Sequence, residues 1–366
     1  MKKLLMVCLF AALLCLTGCF SWMDGAYSKV TPYRGQTSQE DQQMLSASSY
    51  PELRSALVEM AEAGRETALI AVSELEQERI PYYMDQIKRH VMEETPIGAY
   101  AVDDITYELG TSSGQSALAV DITYNHNRAE IRRIKECDGM AAASEYISQA
   151  LNNCDAGVVL LVEGFVEIDF AQQVQDYADA YPEYVMELPQ VTVNVFPEQG
   201  TVRLVELNFS YQTSRESLRE MQSRVWPLFE SAELYVSGDG TAEEKFSQLY
   251  AFLMERSTYE VQTSITPSYS LLHHSVGDSK AFAVVYAAMC RRAGLECMVV
   301  SGTMDGEPRF WNIIDQDGVY YHLDLLRSSD RGQMTCLSDG DMQGYVWDYS
   351  AYPACGLPQE STEPTE

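Results

Sequence analysis

A segment that recurs after 87 residues constrains this chain more than any other feature. Leu118, Val120, Ile122 and Tyr124 alternate as a half-buried strand. Asn127-Arg128 and a helical spacing of Ile131 and Ile134 follow. The same order returns as Val205, Leu207, Phe209 and Tyr211, then Ser214-Arg215, Leu218 and Met221, with Arg132 matched by Arg219. Asn127 and Ser214 stand where a helix N-cap belongs, because their side chains can accept from the first free amides. Upstream of each strand lies another strand, at residues 101–107 and 191–195, and before those an amphipathic helix, at 81–94 and 170–181. Residues 157–162 are strongly β-prone, whereas their counterpart at 67–75 is ambiguous between strand and helix. The pattern predicts a βαββα unit of about 85 residues used twice, with an extra leading helix at 51–63. The alternating apolar positions are accounted for by a sheet buried under helices. His90 and His126 lie on surface-like segments, where a lone histidine is more often solvated than a ligand. A spacer or docking module is therefore the expected role of the repeats.

The chain opens with Lys2 and Lys3, an apolar run from Leu4 to Leu16, and Leu16-Thr17-Gly18-Cys19. That is an export signal, too short to span a membrane. Its ending resembles the bacterial lipobox. The resemblance implies cleavage before Cys19 and a diacylglycerol on its sulfur, anchoring the protein to the outer face of a membrane. Removing residues 1–18 deletes two lysines and no acid, taking the net charge from −29 to −31. Such a field repels nucleic acid and anionic polymers. Cys137, Cys154, Cys290, Cys297, Cys336 and Cys355 remain, and six thiols allow 15 pairings in an oxidising compartment. Neighbourhood suggests Cys137 with Cys154 and Cys336 with Cys355. No CxxC pair or His/Cys cluster has zinc spacing, and there is neither a GxGxxG nor a Walker sequence, so no metal or cofactor is expected.

After the Ser237-Gly-Asp-Gly240 linker, residues 241–256 read as a helix with Phe246, Leu249, Tyr250 and Leu253 on one face. Gly277-Asp-Ser279-Lys280 opens a second helix that ends at Arg292, with Gly294 at the C′ position. Strands are expected at 298–301, 309–314 and 319–325, the last two joined by the Asp315-Gln-Asp-Gly318 turn. That order, with Trp311-Asn-Ile-Ile, Tyr321-His-Leu-Asp324 and Ser338-Asp-Gly-Asp through Trp347, resembles the transglutaminase-like (papain-like cysteine enzyme) superfamily. The resemblance covers about a third of the chain. It implies a Cys opening the helix, a His before the Trp-Asn strand and an Asp closing the last strand.

Carried over position by position, these seats hold Ser279, Arg309 and Asp324. A thiol at a helix N-terminus can ionise near neutral pH, whereas a serine hydroxyl needs a base. Arginine keeps its proton and has no acceptor, so it cannot be that base. The resemblance thus predicts a degenerate triad with no catalytic residue, and a bidentate Arg309–Asp324 pair joining two strands. His322, Lys280, His273 and His274 are weaker candidates for a substitute base. The competing reading is a serine-dependent acyl-transferase or peptide hydrolase acting through Ser279.

The expected organisation is α+β: a signal peptide at 1–18, a flexible tether at 19–48, repeats at 49–150 and 151–236, a transglutaminase-like α+β domain at 237–355, and a disordered tail at 356–366. The expected role is binding or scaffolding at the cell surface. Its partners would be the membrane, through the lipid on Cys19, and a peptide, wall peptide or surface protein, not a nucleic acid.

Overall fold

The computed structural model describes residues 44–112, 114–261 and 264–356. The expected signal peptide and lipidation site Cys19, and most of the expected tether and tail, lie outside these residues. Among the described residues no helix is long and apolar enough to cross a membrane.

The first unit contains β1 (Leu45–Ser46), α1 (Tyr50–Glu62), β2 (Thr67–Ala71), α2 (Ile80–Arg89), α3 (Pro96–Ala101), β3 (Val102–Ser112) and β4 (Gln115–Tyr124). A five-residue π-turn, His90–Glu94, separates α2 from α3. The sheet order is β1-β2-β4-β3, with β1 parallel to β2 and the other pairs antiparallel. The ambiguous 67–75 segment is therefore a strand. The tether ends earlier than expected, since Leu45 and Ser46 pair with Ile70 and Ala71 and Ala47 is buried.

The second unit contains β5 (Lys135–Cys137), α5 (Met140–Asn152), β6 (Gly157–Glu163), α6 (Phe170–Ala180), β7 (Gln190–Phe196) and β8 (Val202–Ser210). Its order, β5-β6-β8-β7, and its pairing senses match those of the first. The correspondence extends to individual bonds. Arg65 and Gly64 donate their amides to the Met60 and Ala61 carbonyls; ninety residues on, Asp155 and Cys154 donate to Ala150 and Leu151. Gly64 and Cys154 both adopt left-handed φ, +62° and +52°.

Two expectations change here. The helix at 51–63 is not extra, because α5 occupies its place in the second unit, and the shared order is βαβαββ. The expected boundary between residues 150 and 151 also moves toward the chain start. Ala143, Ile147, Ala150 and Leu151 of α5 share a core with Leu160, Val162, Val205 and Leu207. The helix after β4 is a single turn, α4 (Arg128–Ile131), capped by Asn127. Only ten residues separate Tyr124 from Lys135, where the next sheet begins, so no longer helix fits.

Its counterpart, α7 (Arg215–Tyr235), runs 21 residues from the Ser214 cap. Leu218, Val225, Phe229 and Ala232 of α7 pack against Phe246, Phe282 and Met289. The helix thus belongs to the C-terminal core, and the expected boundary at 236/237 falls after it rather than before it. That core also contains α8 (Ala242–Met254), α9 (Pro267–His274) and α10 (Ser279–Arg292). These pack on one face of a sheet built from β11 (Cys297–Met304), β12 (Glu307–Gln316), β13 (Val319–Leu323) and β14 (Tyr345–Trp347). Its order is β13-β12-β11-β14, antiparallel throughout. Two short strands, β9 (Thr258–Tyr259) and β10 (Val276–Gly277), pair in parallel just before α10. The expected strand at 319–325 stops at Leu323, because Asp324 caps α11 (Leu325–Asp330). The far face of the sheet is covered by Trp311, Leu337, Tyr345, Trp347 and Cys355.

All six described cysteines are free thiols. The neighbour pairings fail because Cys137 and Cys154 sit in different cores, and Cys336 and Cys355 lie in clusters on opposite faces of the sheet.

Candidate functional site

Asp278 caps α10 by accepting from the Ala281 amide at 2.8 Å, which holds Ser279 in the first turn, buried at 8% exposure. The Ser279 oxygen accepts the Phe310 amide at 3.3 Å. This bond places the hydroxyl beside β12, one residue from Arg309.

Arg309 turns to Asp324 and meets it edge on. Its Nε donates to Oδ2 and a terminal nitrogen donates to Oδ1, both at 2.8 Å. This is the pairing expected from the register. Asp324 is 1% exposed and accepts three further bonds: from the amides of Leu326 and Arg327 at 3.0 and 3.1 Å, and from the Tyr345 hydroxyl at 2.7 Å. Five donors thus converge on one carboxylate, and two of them are also the free amides of α11. Desolvation alone would lower the Arg309 pKa, but the hydrogen bonds and charge of Asp324 outweigh it and leave the guanidinium above its ordinary value. Burial, and then the neighbouring Asp324 charge, raise the Tyr345 phenol well above its usual range. Arg309 and Tyr345 therefore both keep their protons near neutral pH, and neither can serve as a base there.

The other candidate bases lie elsewhere. Lys280 pairs with Asp179 of α6 at 2.9 Å and rests over the Phe310 ring at 5.5 Å. His273 and His274 are exposed and stack around Tyr269. His322 is fully buried on the far face of the sheet; its Nδ1 accepts the Trp311 indole N–H at 3.0 Å and its Nε2 lies 2.9 Å from Asp339. Burial lowers its pKa, and Asp339 offsets this only in part. Among the described residues, the bond to the Ser279 oxygen comes from a backbone amide and not from a base that could activate a serine nucleophile.

The sequence reading missed a second polar cluster behind the sheet. Ligand atoms of His322, Asp339 and Cys355 lie within 4.8 Å of one another. Nitrogen, oxygen and sulfur donors at that range suit zinc in principle. The tautomer does not. An indole N–H only donates, so the neutral imidazole carries its proton on Nε2 and gives it to Asp339. Histidine ligands normally donate their other nitrogen outward, and metal at Nε2 would here require an imidazolate. A thiolate nucleophile fits no better, because burial and then the Asp339 charge push the Cys355 thiol up to about 12. The cluster ties the 338–356 segment to the sheet, with Cys355 also donating its amide to Asp339 at 3.0 Å.

A family model described as the transglutaminase-like superfamily matches residues 231–354. A search of curated proteins found no match. Among solved structures, this chain is similar to a TGase at 12% identity and TM-score 0.26, covering 46% of this chain and 50% of that one. It is also similar to a proposed cysteine protease from Cytophaga hutchinsonii, at 12% identity and TM-score 0.25, covering 43% and 70%. A third, a proposed protease from Parabacteroides distasonis, matches at 10% identity and TM-score 0.23, covering 70% and 39%. The chain spans about half the length of the first of these. Likenesses this low carry no weight in the assignment, which rests on the family match and on the order of helix, strands and capping carboxylate described above. On that basis, residues 231–354 form a transglutaminase-like superfamily domain.

Proposed function

We propose that this protein is an exported, lipid-anchored binding or scaffolding protein whose transglutaminase-like domain holds a surface in place without performing acyl transfer. One observation carries the reading. The seat of the family's base holds Arg309, spent on Asp324 by two 2.8 Å hydrogen bonds, while the Ser279 oxygen rests on the Phe310 amide. Neither a proton acceptor nor an ionisable nucleophile is present in the pair of seats that acyl transfer uses. The export signal ending at Cys19 supports placement on the outer face of a membrane, facing peptide or surface-protein partners.

Three experiments test this. Purified protein is incubated with a glutaminyl peptide and a primary amine, and ammonia release is followed for the natural chain and for Ser279→Ala. No turnover is expected from either. A rate present in the natural chain and lost in Ser279→Ala would replace this reading with a serine-dependent enzyme. The double variant Ser279→Cys/Arg309→His should regain a thiol that iodoacetamide alkylates near neutral pH. Labelled palmitate should enter the natural chain and be absent from Cys19→Ala; incorporation unchanged by that substitution would reject the anchor.

A further inference from the structure

Two cavities flank one ion pair between α6 of the second unit and α10 of the transglutaminase-like domain. Both are lined by Gln175, Asp179 and Lys280. One, of about 260 Å³, has an apolar mouth where Leu188 and Ile265 are 44% and 48% exposed. The other, of about 820 Å³, runs under β11 and is lined by Val299 and Phe310, with Asp176 and Glu296 among its polar groups. The Lys280–Asp179 pair, 2.9 Å long with both side chains one-third exposed, is the bar between them.

The charges around this trough are unevenly spent. Lys280 is committed to Asp179, and Arg291 to Glu183 and the Ala180 carbonyl. Glu187, buried in the smaller cavity, accepts the amides of Gln212 and Thr213. Among the described residues, the donors to Asp176 and Glu296 are neutral, the Gln172 amide at 2.8 Å and the Tyr320 hydroxyl at 3.2 Å. Among the described residues, the larger cavity therefore presents two carboxylates with no cationic partner, while Leu188 and Ile265 form the apolar mouth of the smaller one.

Backbone geometry adds a direction. Cys297, Val299 and Ser301, alternate residues of β11, line the larger cavity. β14 pairs only with Gly302–Met304, so among the described residues no strand pairs with β11 from residue 297 to 301 on that side, where the Tyr352 hydroxyl donates to the Val299 carbonyl at 3.3 Å. A strand edge held only by one side-chain hydroxyl, beside a trough, favours an extended segment that displaces Tyr352, with side chains entering the pockets alternately.

We propose that this trough binds an extended peptide carrying lysine or arginine toward Asp176 and Glu296 and an apolar side chain toward Leu188 and Ile265. The inference rests on the non-enzymatic reading above, and names the site and the ligand chemistry for it. One wall of the trough comes from α6, outside the transglutaminase-like domain, so the site belongs to the combination of units in this chain. Lys280 acts as a cationic bar that an incoming basic side chain must displace or bypass.

The test measures anisotropy of a labelled, acetylated heptapeptide, Leu-Ser-Val-Thr-Lys-Thr-Lys, against the full chain, beside a version with both lysines replaced by glutamate. The basic peptide should bind, more weakly as salt rises, and the acidic one should not. Asp176→Asn with Glu296→Gln should weaken binding about five- to tenfold, as loss of two charge contacts at exposed carboxylates would. Ile265→Ser should weaken it without changing the salt dependence. Lys280→Ala should tighten it about threefold by freeing Asp179. Equal binding of both peptides, no binding, or binding untouched by these substitutions would overturn the inference. Light scattering runs alongside: a dimer abolished by the Asp176/Glu296 variant would assign the trough to a second copy instead. Peptide mass is checked after incubation, since a cleaved or conjugated peptide defeats the non-enzymatic reading, whereas an intact, unbound one defeats only the trough.

Discussion

The two βαβαββ units share strand order, pairing sense and the bonds that close their first helices, yet they differ in what surrounds them. The first keeps its polar groups to itself. Its Tyr124 hydroxyl reaches the carbonyls of Met60 and Arg65 at 3.1 and 3.0 Å, and its Gly64 meets the left-handed φ without a side chain. In the second, the matching Tyr211 hydroxyl is buried with no hydrogen-bond partner among the described residues, and Cys154 takes the left-handed position. The same unit supplies Asp179 and Glu183 to the transglutaminase-like domain, and the long α7 to its core. The second copy thus carries local imperfections in the same places where it reaches outward. A scaffold of one shape can act in one copy as a support that packs on its neighbour through apolar contacts such as Tyr100 against Phe196 and Leu204, and in the other as the wall of a neighbouring site.

Substitutions at matched places would break or sharpen this contrast. The largest effect is expected at the clasp. Arg291→Ala leaves Glu183, 3% exposed, without its cation and should cost about 2–4 kcal/mol by urea denaturation. Lys88→Ala in the first unit, whose pair with Asp104 is well exposed on both sides, should leave the urea midpoint unchanged. Equal effects would mean that the second unit is not specially tied to its neighbour. Next comes the left-handed position. Gly64→Ala should destabilise by about 1–2 kcal/mol, because an added Cβ meets the wrong φ and lies about 3 Å from Arg128. Cys154→Gly should stay within about 0.5 kcal/mol of the natural chain, since relief of strain offsets the lost thiol packing. The smallest pair is the tyrosines. Tyr124→Phe loses one hydroxyl hydrogen shared between two carbonyls and should cost about 1 kcal/mol, whereas Tyr211→Phe removes an unsatisfied hydroxyl and should be neutral or stabilising. Matching losses at both tyrosines would show that Tyr211 has a partner after all.

Much of this architecture was legible because it is local. Alternation at 118–124 and 205–211, the Asn127 and Ser214 caps, and the Asp-Gly turn at 317–318, where both residues take positive φ, are written within a few residues of each other. The Arg309–Asp324 pair followed from the family register and the planar match of guanidinium to carboxylate. What escaped depends on distance along the chain. A helix with the pattern of α5 looks the same whichever sheet it covers, so its unit is decided by Leu160 and Val205, not by its own residues. Tyr345 and the cap role of Asp324 were hidden because a strand-like Tyr-His-Leu-Asp run does not show where the strand ends. Lys280 finds Asp179 about a hundred residues away, and no periodicity announces such a partner.

The indole bond to His322 turns this domain into its own optical reporter. Trp311 gives its only polar hydrogen to the Nδ1 of His322, and Trp347 packs edge-on against the same ring at 4.8 Å. A proton added to the imidazole must take the nitrogen that the indole now occupies. Because burial depresses the folded pKa of His322, this event is held off until pH falls below the ordinary histidine range, near 6.5 in unfolded chains. The sign follows. The folding energy linked to this histidine is fully present above that unfolded value and is lost as pH falls through the folded one. On acidification the buried tryptophan emission should shift to the red as the indole bond breaks, and His322→Gln should erase that step.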